Sequence, residues 1–143
     1  MNEITVQAFV RELWNRFGNC ELTDEQLFNY GRTHFWLEDQ DEAGAGELLQ
    51  RRSAARIIHQ FIKNELHIPD SQNIDEAKVL ADLFTCRVCV EHVAQVYVKR
   101  IMPAHEIQNE QGDVVTIFDM LGTVTKKNAD EIFERINHLH SSI

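Results

Sequence analysis

The sequence predicts an all-α domain of five to six helices, built as two pseudo-repeated halves. Apolar residues recur at helical spacing along most of the 143 residues, and several residue pairs are typical of helix N-termini. The chain also has only six glycines and two prolines, whereas a β-sandwich or β-barrel needs many tight turns. We therefore expect one domain over 1–143, divided into repeats at about 4–66 and 73–140.

The first half begins with two helices. An apolar stripe over 6–17 ends at Gly18, which predicts the first helix. Thr23 with Gln26 three residues later is a capping-box pattern, and it predicts the start of the second helix. An acidic stretch over 38–46 then interrupts the helical period.

The middle of the chain carries three further predicted helices. A long one is predicted over about 47–66, with Pro69 beyond its end. Asn73 with Glu76 predicts the start of a short helix. The next helix is predicted over about 86–101 and ends before a second proline.

The last part of the chain is predicted to contain a non-helical arm followed by a final helix. A β-prone run at 114–118 follows a turn-like segment at 109–113, which predicts a short hairpin-like arm near 106–118. Thr125 then predicts the N-cap of the last helix. The predicted core consists of Phe9, Leu13, Phe17, Leu27, Ile58, Ile62, Val93, Tyr97, Ile132 and Ile136.

Charge and composition exclude several classes of function. Lys and Arg number 14 against 23 Asp and Glu, so the net charge is −9, which argues against a nucleic-acid partner. No apolar run approaches 18 residues, so we expect no membrane insertion. No motif specifies a reaction or a cofactor, and we expect that the protein is not an enzyme. The N-terminal residues lack signal-peptide features, which predicts a cytoplasmic protein, or a cell-wall protein if the chain is an excised domain.

Two predicted helix starts share a sequence pattern. Residues 49–58 align with 124–133 through an apolar residue, a polar residue, a basic pair and an alanine. A basic pair in the first turn opposes the helix macrodipole. The pairs Arg51–Arg52 and Lys126–Lys127 therefore indicate either neutralising acids on the surface or a bound anion.

This pattern resembles the S-layer homology repeats, most clearly over 73–137. Asp82 matches the aspartate of the repeat, and Thr125-Lys126 matches its Thr-Arg-Ala-Glu helix start, with lysine in place of arginine. The first half is more degenerate, with Arg51-Arg52 at that start, and the usual third repeat is missing. The resemblance implies a helical bundle that binds an anionic, pyruvylated wall polysaccharide.

Those motif positions give the predicted binding residues. The resemblance assigns ligand contacts to Arg51, Thr125 and Lys126, with Arg52 beside them, and a structural or ligand-orienting role to Asp82. The sequence thus predicts a binding module for an anionic cell-wall polysaccharide or an acidic protein partner.

An aromatic side chain is a further candidate for ligand binding. Trp36 lies off the best apolar stripe of its segment, which predicts an exposed aromatic that lines a groove. Core packing is the competing interpretation of the aromatic residues.

The alternative function centres on Cys86 and Cys89. On a helix these two thiols share a face and could hold one metal ion with His92, although a structural zinc site needs a fourth ligand. A redox pair is a further interpretation, but no thioredoxin-like strand precedes it. The competing interpretation is that both thiols are small core residues.

Overall fold

The computed structural model describes residues 2–142, and within them the chain forms six helices and one two-stranded antiparallel sheet. The predicted all-α class is therefore wrong, and the fold is mixed α and β. The correction lies in the segment expected as an arm between helices. Its β-branched run pairs with the residues before the turn, so it forms a regular hairpin.

The helices and strands are distributed along the whole described chain. The helices are α1 (Val6–Phe17), α2 (Asp24–Thr33), α3 (Asp39–Ala43), α4 (Arg51–Asn64), α5 (Val90–Val98) and α6 (Lys126–Ser141). The strands are β1 (His105–Gln108) and β2 (Val114–Ile117). Three 3₁₀ turns precede α5, at Asp75–Val79, Leu83–Thr85 and Arg87–Cys89. No helix among residues 2–142 has the length and apolar character needed to cross a bilayer.

In the hairpin β1 is exposed, and β2 is half-buried apart from Val114. His105 pairs with Ile117 at its open end and Gln108 with Val114 beside the turn. Gly112 has φ of 84° in that turn, a left-handed conformation that glycine adopts without steric cost. The amide of Ala81 donates to the carbonyl of Thr116 at 2.8 Å, which joins the hairpin to the turns that precede α5.

A ring of three backbone hydrogen bonds lies at the centre of the fold. The Ile4 amide donates to Val124 at 3.0 Å, the Val124 amide to Leu49 at 2.9 Å, and the Leu49 amide to Ile4 at 2.9 Å. All three side chains are buried. Because each residue lies directly before the N-cap of a helix, α1, α4 and α6 all begin next to this ring.

The ring explains why α4 is shorter than predicted. Residues 48–50 are extended, since Leu48 and Gln50 form bridges with Thr5 and Thr123. Helix α4 therefore begins at Arg51 rather than near Glu47. Helix α1, which follows Ile4 of the ring, does not begin with a basic pair. The shared sequence pattern therefore identified only the starts of α4 and α6.

The core follows the predicted apolar stripes. Of the ten predicted core residues, Phe17 and Tyr97 are partly buried and the others are buried. The ring of Trp36 packs edge-on against Phe61, with centroids 4.8 Å apart, and lies 6.2 Å from that of Trp14.

Candidate functional site

Arg51 is held inside the fold by backbone carbonyl groups. Its side chain is 4% exposed, and it donates to the carbonyls of Phe118 at 2.8 Å and Pro103 at 2.5 Å. Its guanidinium also lies 4.6 Å from the centre of the Phe118 ring. Burial lowers the pKa of Arg51, against the attraction of Asp119 and Asp82. Arg51 therefore joins the start of α4 to the two segments that flank the hairpin, and these contacts are structural.

Asp82 binds the connector, residues 118–124 between β2 and the N-cap of α6. Its two carboxylate oxygens accept the amides of Phe118 at 2.7 Å and Asp119 at 2.9 Å. Asp119 has φ of 69°, a left-handed conformation that these contacts stabilise. Of the two roles considered for Asp82, the geometry supports the structural one.

The start of α6 is capped locally and neutralised on the surface. Thr125 and Asn128 form a capping box, in which the threonine hydroxyl accepts the Asn128 amide at 3.0 Å. The exposed ammonium of Lys126 lies 2.9 Å from Glu12 and 3.0 Å from Asp130. These two acids raise the pKa of Lys126. Neighbouring acids thus account for this basic helix start.

Trp36 is buried rather than exposed. Phe35 adopts a left-handed conformation with φ of 66°, and the amides of Trp36 and Leu37 both donate to the Gly31 carbonyl. This reversal places Phe35 outside, 75% exposed, and Trp36 inside, 0% exposed. A helical stripe does not extend across such a turn, so the sequence pattern assigned the exposed aromatic to the wrong position.

Arg52 is the predicted ligand residue that faces an open cleft. The cleft has a volume of about 480 Å³ and lies between α4, the start of α3 and the Cys86–Cys89 segment. Arg52 is exposed, and its Nε donates to the side chain of Gln50 at 3.0 Å. Among the described residues, no carboxylate forms an ion pair with it.

A second arginine in the cleft is neutralised. Arg56 donates to both carboxylate oxygens of Asp41, at 2.6 and 3.0 Å, and Asp41 is 4% exposed. Burial alone would lower the pKa of Arg56, but the hydrogen bond and charge of Asp41 raise it. The acidic stretch before α4 therefore supplies a partner for Arg56, while Arg52 keeps its charge available.

A disulfide between Cys86 and Cys89 forms part of the opposite wall of the cleft. The two Cα atoms are 5.2 Å apart, and both residues precede α5 rather than lying within it. In this state the sulfur atoms bond to each other, so they do not form a metal site with His92. Cys20 is a free, exposed thiol.

His92 belongs to a hydrogen-bonded chain that the sequence did not reveal. Its Nδ1 lies 2.8 Å from Nδ1 of His59, and Nε2 of His59 lies 2.7 Å from Asp70. His59 is 3% exposed. Burial, with His59 and Arg56 nearby, lowers the pKa of His92 to about 4. These residues are far apart in the sequence and match no short motif, so only folding brings them together.

Asp70 completes this chain and is itself paired. Burial would raise its pKa, but the hydrogen bond and charge of His59, together with Lys63, lower it below the ordinary value. His59, Asp70 and Glu91 place one ligand atom each within 4.8 Å of one another, a spacing compatible with a cation. The Lys63 ammonium, 3.3 Å from Asp70, already supplies positive charge at that point.

Comparisons with protein-family models, with curated proteins and with solved structures find no match for this chain. The resemblance to S-layer homology repeats therefore stays a prediction from the sequence.

Proposed function

We propose that this chain is a non-catalytic binding module that takes an acidic segment of a protein partner in the cleft beside α4. Arg52 is the cation that contacts the ligand. The observation that carries the proposal is the contrast among the predicted ligand residues. Arg51, Asp82, Thr125, Lys126 and Trp36 are engaged within the fold, whereas Arg52 faces a cleft without a carboxylate partner.

The chemistry at this position favours a carboxylate. Arg52 is the second residue of α4, and the first turn of that helix contains no acid. The helix macrodipole and the guanidinium therefore both attract an anion there. An arginine and a carboxylate can form two parallel hydrogen bonds, which adds orientation to the attraction.

The rim of the cleft favours a protein over a polysaccharide. Val88 lines the cleft and is 85% exposed, and Phe84 on the same segment is 67% exposed. Such apolar side chains suit a peptide that carries apolar residues beside its acids. The aromatic expected to stack on a sugar, Trp36, is buried.

The test compares two basic side chains that occupy the second position of their helices. Arg52→Ala and Lys127→Ala each remove one exposed cation without a carboxylate partner among residues 2–142. The probe is a synthetic peptide of glutamates with one leucine, titrated by calorimetry at low and physiological salt. We expect Arg52→Ala to weaken binding about tenfold and Lys127→Ala to change it less than about twofold.

Two results would count against the proposal. Equal losses in both variants would show attraction to charge in general rather than recognition in the cleft. Binding of polygalacturonate by the wild type, with no binding of the peptide, would favour the wall-polymer alternative instead.

A further inference from the structure

The cleft carries a second chemistry that anion binding does not use. Cys86 is half-buried where it lines the cleft, whereas Cys89 is 7% exposed. We propose that this disulfide undergoes thiol–disulfide exchange with a dithiol of a partner protein, with Cys86 as the attacked sulfur and His92 as the proton carrier. The proposal is independent of the anion-binding function.

The position of Cys89 favours its release as a thiolate. Cys89 is the N-cap residue of α5, a helix of nine residues, and it makes no side-chain capping hydrogen bond. A thiolate at a helix N-terminus is stabilised by the helix macrodipole. Arg52 lines the same cleft, so its charge also favours a thiolate there.

The two histidines give His92 a defined proton acceptor. Because ionised Asp70 can only accept, Nε2 of His59 donates to it and Nδ1 of His59 is left as an acceptor. His92 must then donate through its own Nδ1, which leaves a lone pair on its Nε2. That Nε2 atom has no hydrogen-bond partner among residues 2–142, and the side chain lines the cleft.

The groups around His92 keep it neutral. Burial is the largest cause of its lowered pKa, the charges of Arg56 and Lys63 act in the same direction, and Asp70 opposes them. The imidazole is therefore uncharged at neutral pH, and its Nε2 lone pair can hydrogen-bond the proton of an incoming thiol as the sulfur attacks.

The exchange takes place in two steps, and atoms and electrons balance in each. In the first, Nε2 of His92 takes the proton of one substrate thiol, whose sulfur attacks Sγ of Cys86. The Cys86–Cys89 bond breaks, and Cys89 leaves as a thiolate that receives the proton from His92. In the second, the other substrate thiol attacks the substrate sulfur of the mixed disulfide, and its proton goes to the departing Cys86. The substrate dithiol loses two electrons and two protons, and Cys86 and Cys89 gain them.

The local structure allows this exchange without unfolding. The disulfide closes a loop with a sequence separation of three, within 3₁₀ turns that lie before α5. None of residues 86–89 takes part in the ring of backbone hydrogen bonds at Ile4, Leu49 and Val124.

The experiment measures reduction of the folded protein by dithiothreitol, in a Cys20→Ser background that removes the exposed free thiol. His92→Asn keeps an N–H donor near the place of Nδ1 but removes Nε2. His105→Asn on the exposed strand β1 is the matched control. Acid quenching, alkylation and mass spectrometry report the reduced fraction, and circular dichroism confirms that each variant is folded.

At about pH 7 we expect His92→Asn to slow reduction about tenfold and His105→Asn to leave it unchanged. Between about pH 8 and pH 6 the uncatalysed rate follows the thiolate fraction and falls tenfold per unit. The wild-type rate should fall less steeply, and the His92→Asn rate should show the full slope. A disulfide that is reduced only after denaturation would overturn the proposal. Equal rates and slopes for the His92→Asn variant and the wild type would overturn the role of His92.

Discussion

The starts of α4 and α6 carry the same sequence pattern and are capped differently. In α4 the N-cap Gln50 makes no capping hydrogen bond, and the amides of Arg51 and Arg52 donate to the connector carbonyls of Gly122 and Met120. In α6 the Lys126 amide also donates to a distant carbonyl, that of Asn2, but the N-cap Thr125 adds a local capping bond through its hydroxyl group. The first basic side chain is buried in α4 and exposed in α6.

The difference comes from what covers each helix start. The connector offers α4 the carbonyls of Phe118, Met120 and Gly122, and Pro103 before β1 offers a fourth. The Arg51 side chain and the first two amides of α4 are therefore satisfied by tertiary contacts. The side chain of Lys126 at the start of α6 instead faces solvent, where Glu12 and Asp130 neutralise it. A shared motif therefore does not imply a shared role, because the role depends on the neighbouring segment.

The largest expected effect is at Arg51. Arg51→Ala removes the donor of the buried Phe118 carbonyl and of the part-buried Pro103 carbonyl, and it removes a side chain that stacks on Phe118, so we expect a loss of about 3 kcal/mol in the free energy of unfolding. Urea denaturation followed by circular dichroism measures it. Arg51→Lys keeps the charge but not the planar guanidinium, and should recover only part of the loss. A loss below about 1 kcal/mol for alanine would contradict the structural role.

Asp82 should rank next. Asp82→Ala removes the acceptor of two connector amides, and we expect a loss of about 2 kcal/mol in the same measurement. Because Arg51 and Asp82 hold the same connector, the double variant should lose about 1 kcal/mol less than the sum of the single losses. Strict additivity would show that the two residues act independently.

The N-caps provide a smaller and more direct contrast. Thr125→Ala removes a capping hydroxyl and should cost about 1 kcal/mol, whereas Gln50→Ala should cost only a few tenths. Thermal or urea unfolding of the pair distinguishes a locally capped helix from one capped by tertiary contacts. Equal losses in the free energy of unfolding for the two variants would show that both helix starts depend on their N-cap side chain to the same extent.

Lys126 should have the smallest effect. Its side chain is exposed and its ion pairs lie on the surface, so Lys126→Ala should leave the denaturation midpoint unchanged within error. Added salt should shift the wild type and the variant equally. A midpoint as low as that of Arg51→Ala would mean that the two basic starts are equivalent after all.

The sequence predicted the features that depend on neighbouring residues. Thr23 and Thr125 cap helices as expected, because a capping box is formed within four consecutive residues. The first helix has the predicted bounds for the same local reason. The β-prone run predicted the location of the hairpin, but calling the fold all-α underestimated its regular pairing.

Much less of the candidate site could be predicted from local sequence patterns. Arg52 was identified through its basic pair, yet its open cleft is formed by segments distant in sequence. The chain from Asp70 through His59 to His92 joins residues up to 33 positions apart, and no periodic pattern connects them.

The sequence by itself determined where α1, α2 and α6 begin and which apolar faces are buried, since both follow from hydrogen bonds and side-chain spacing over a few residues. Only the tertiary structure decided which charged side chains are free. Arg51 and Arg52 are adjacent in the chain, but one lies under the connector and the other faces the cleft. Burial and ion pairing depend on segments brought together by folding, and these determine whether a charge can contact a partner.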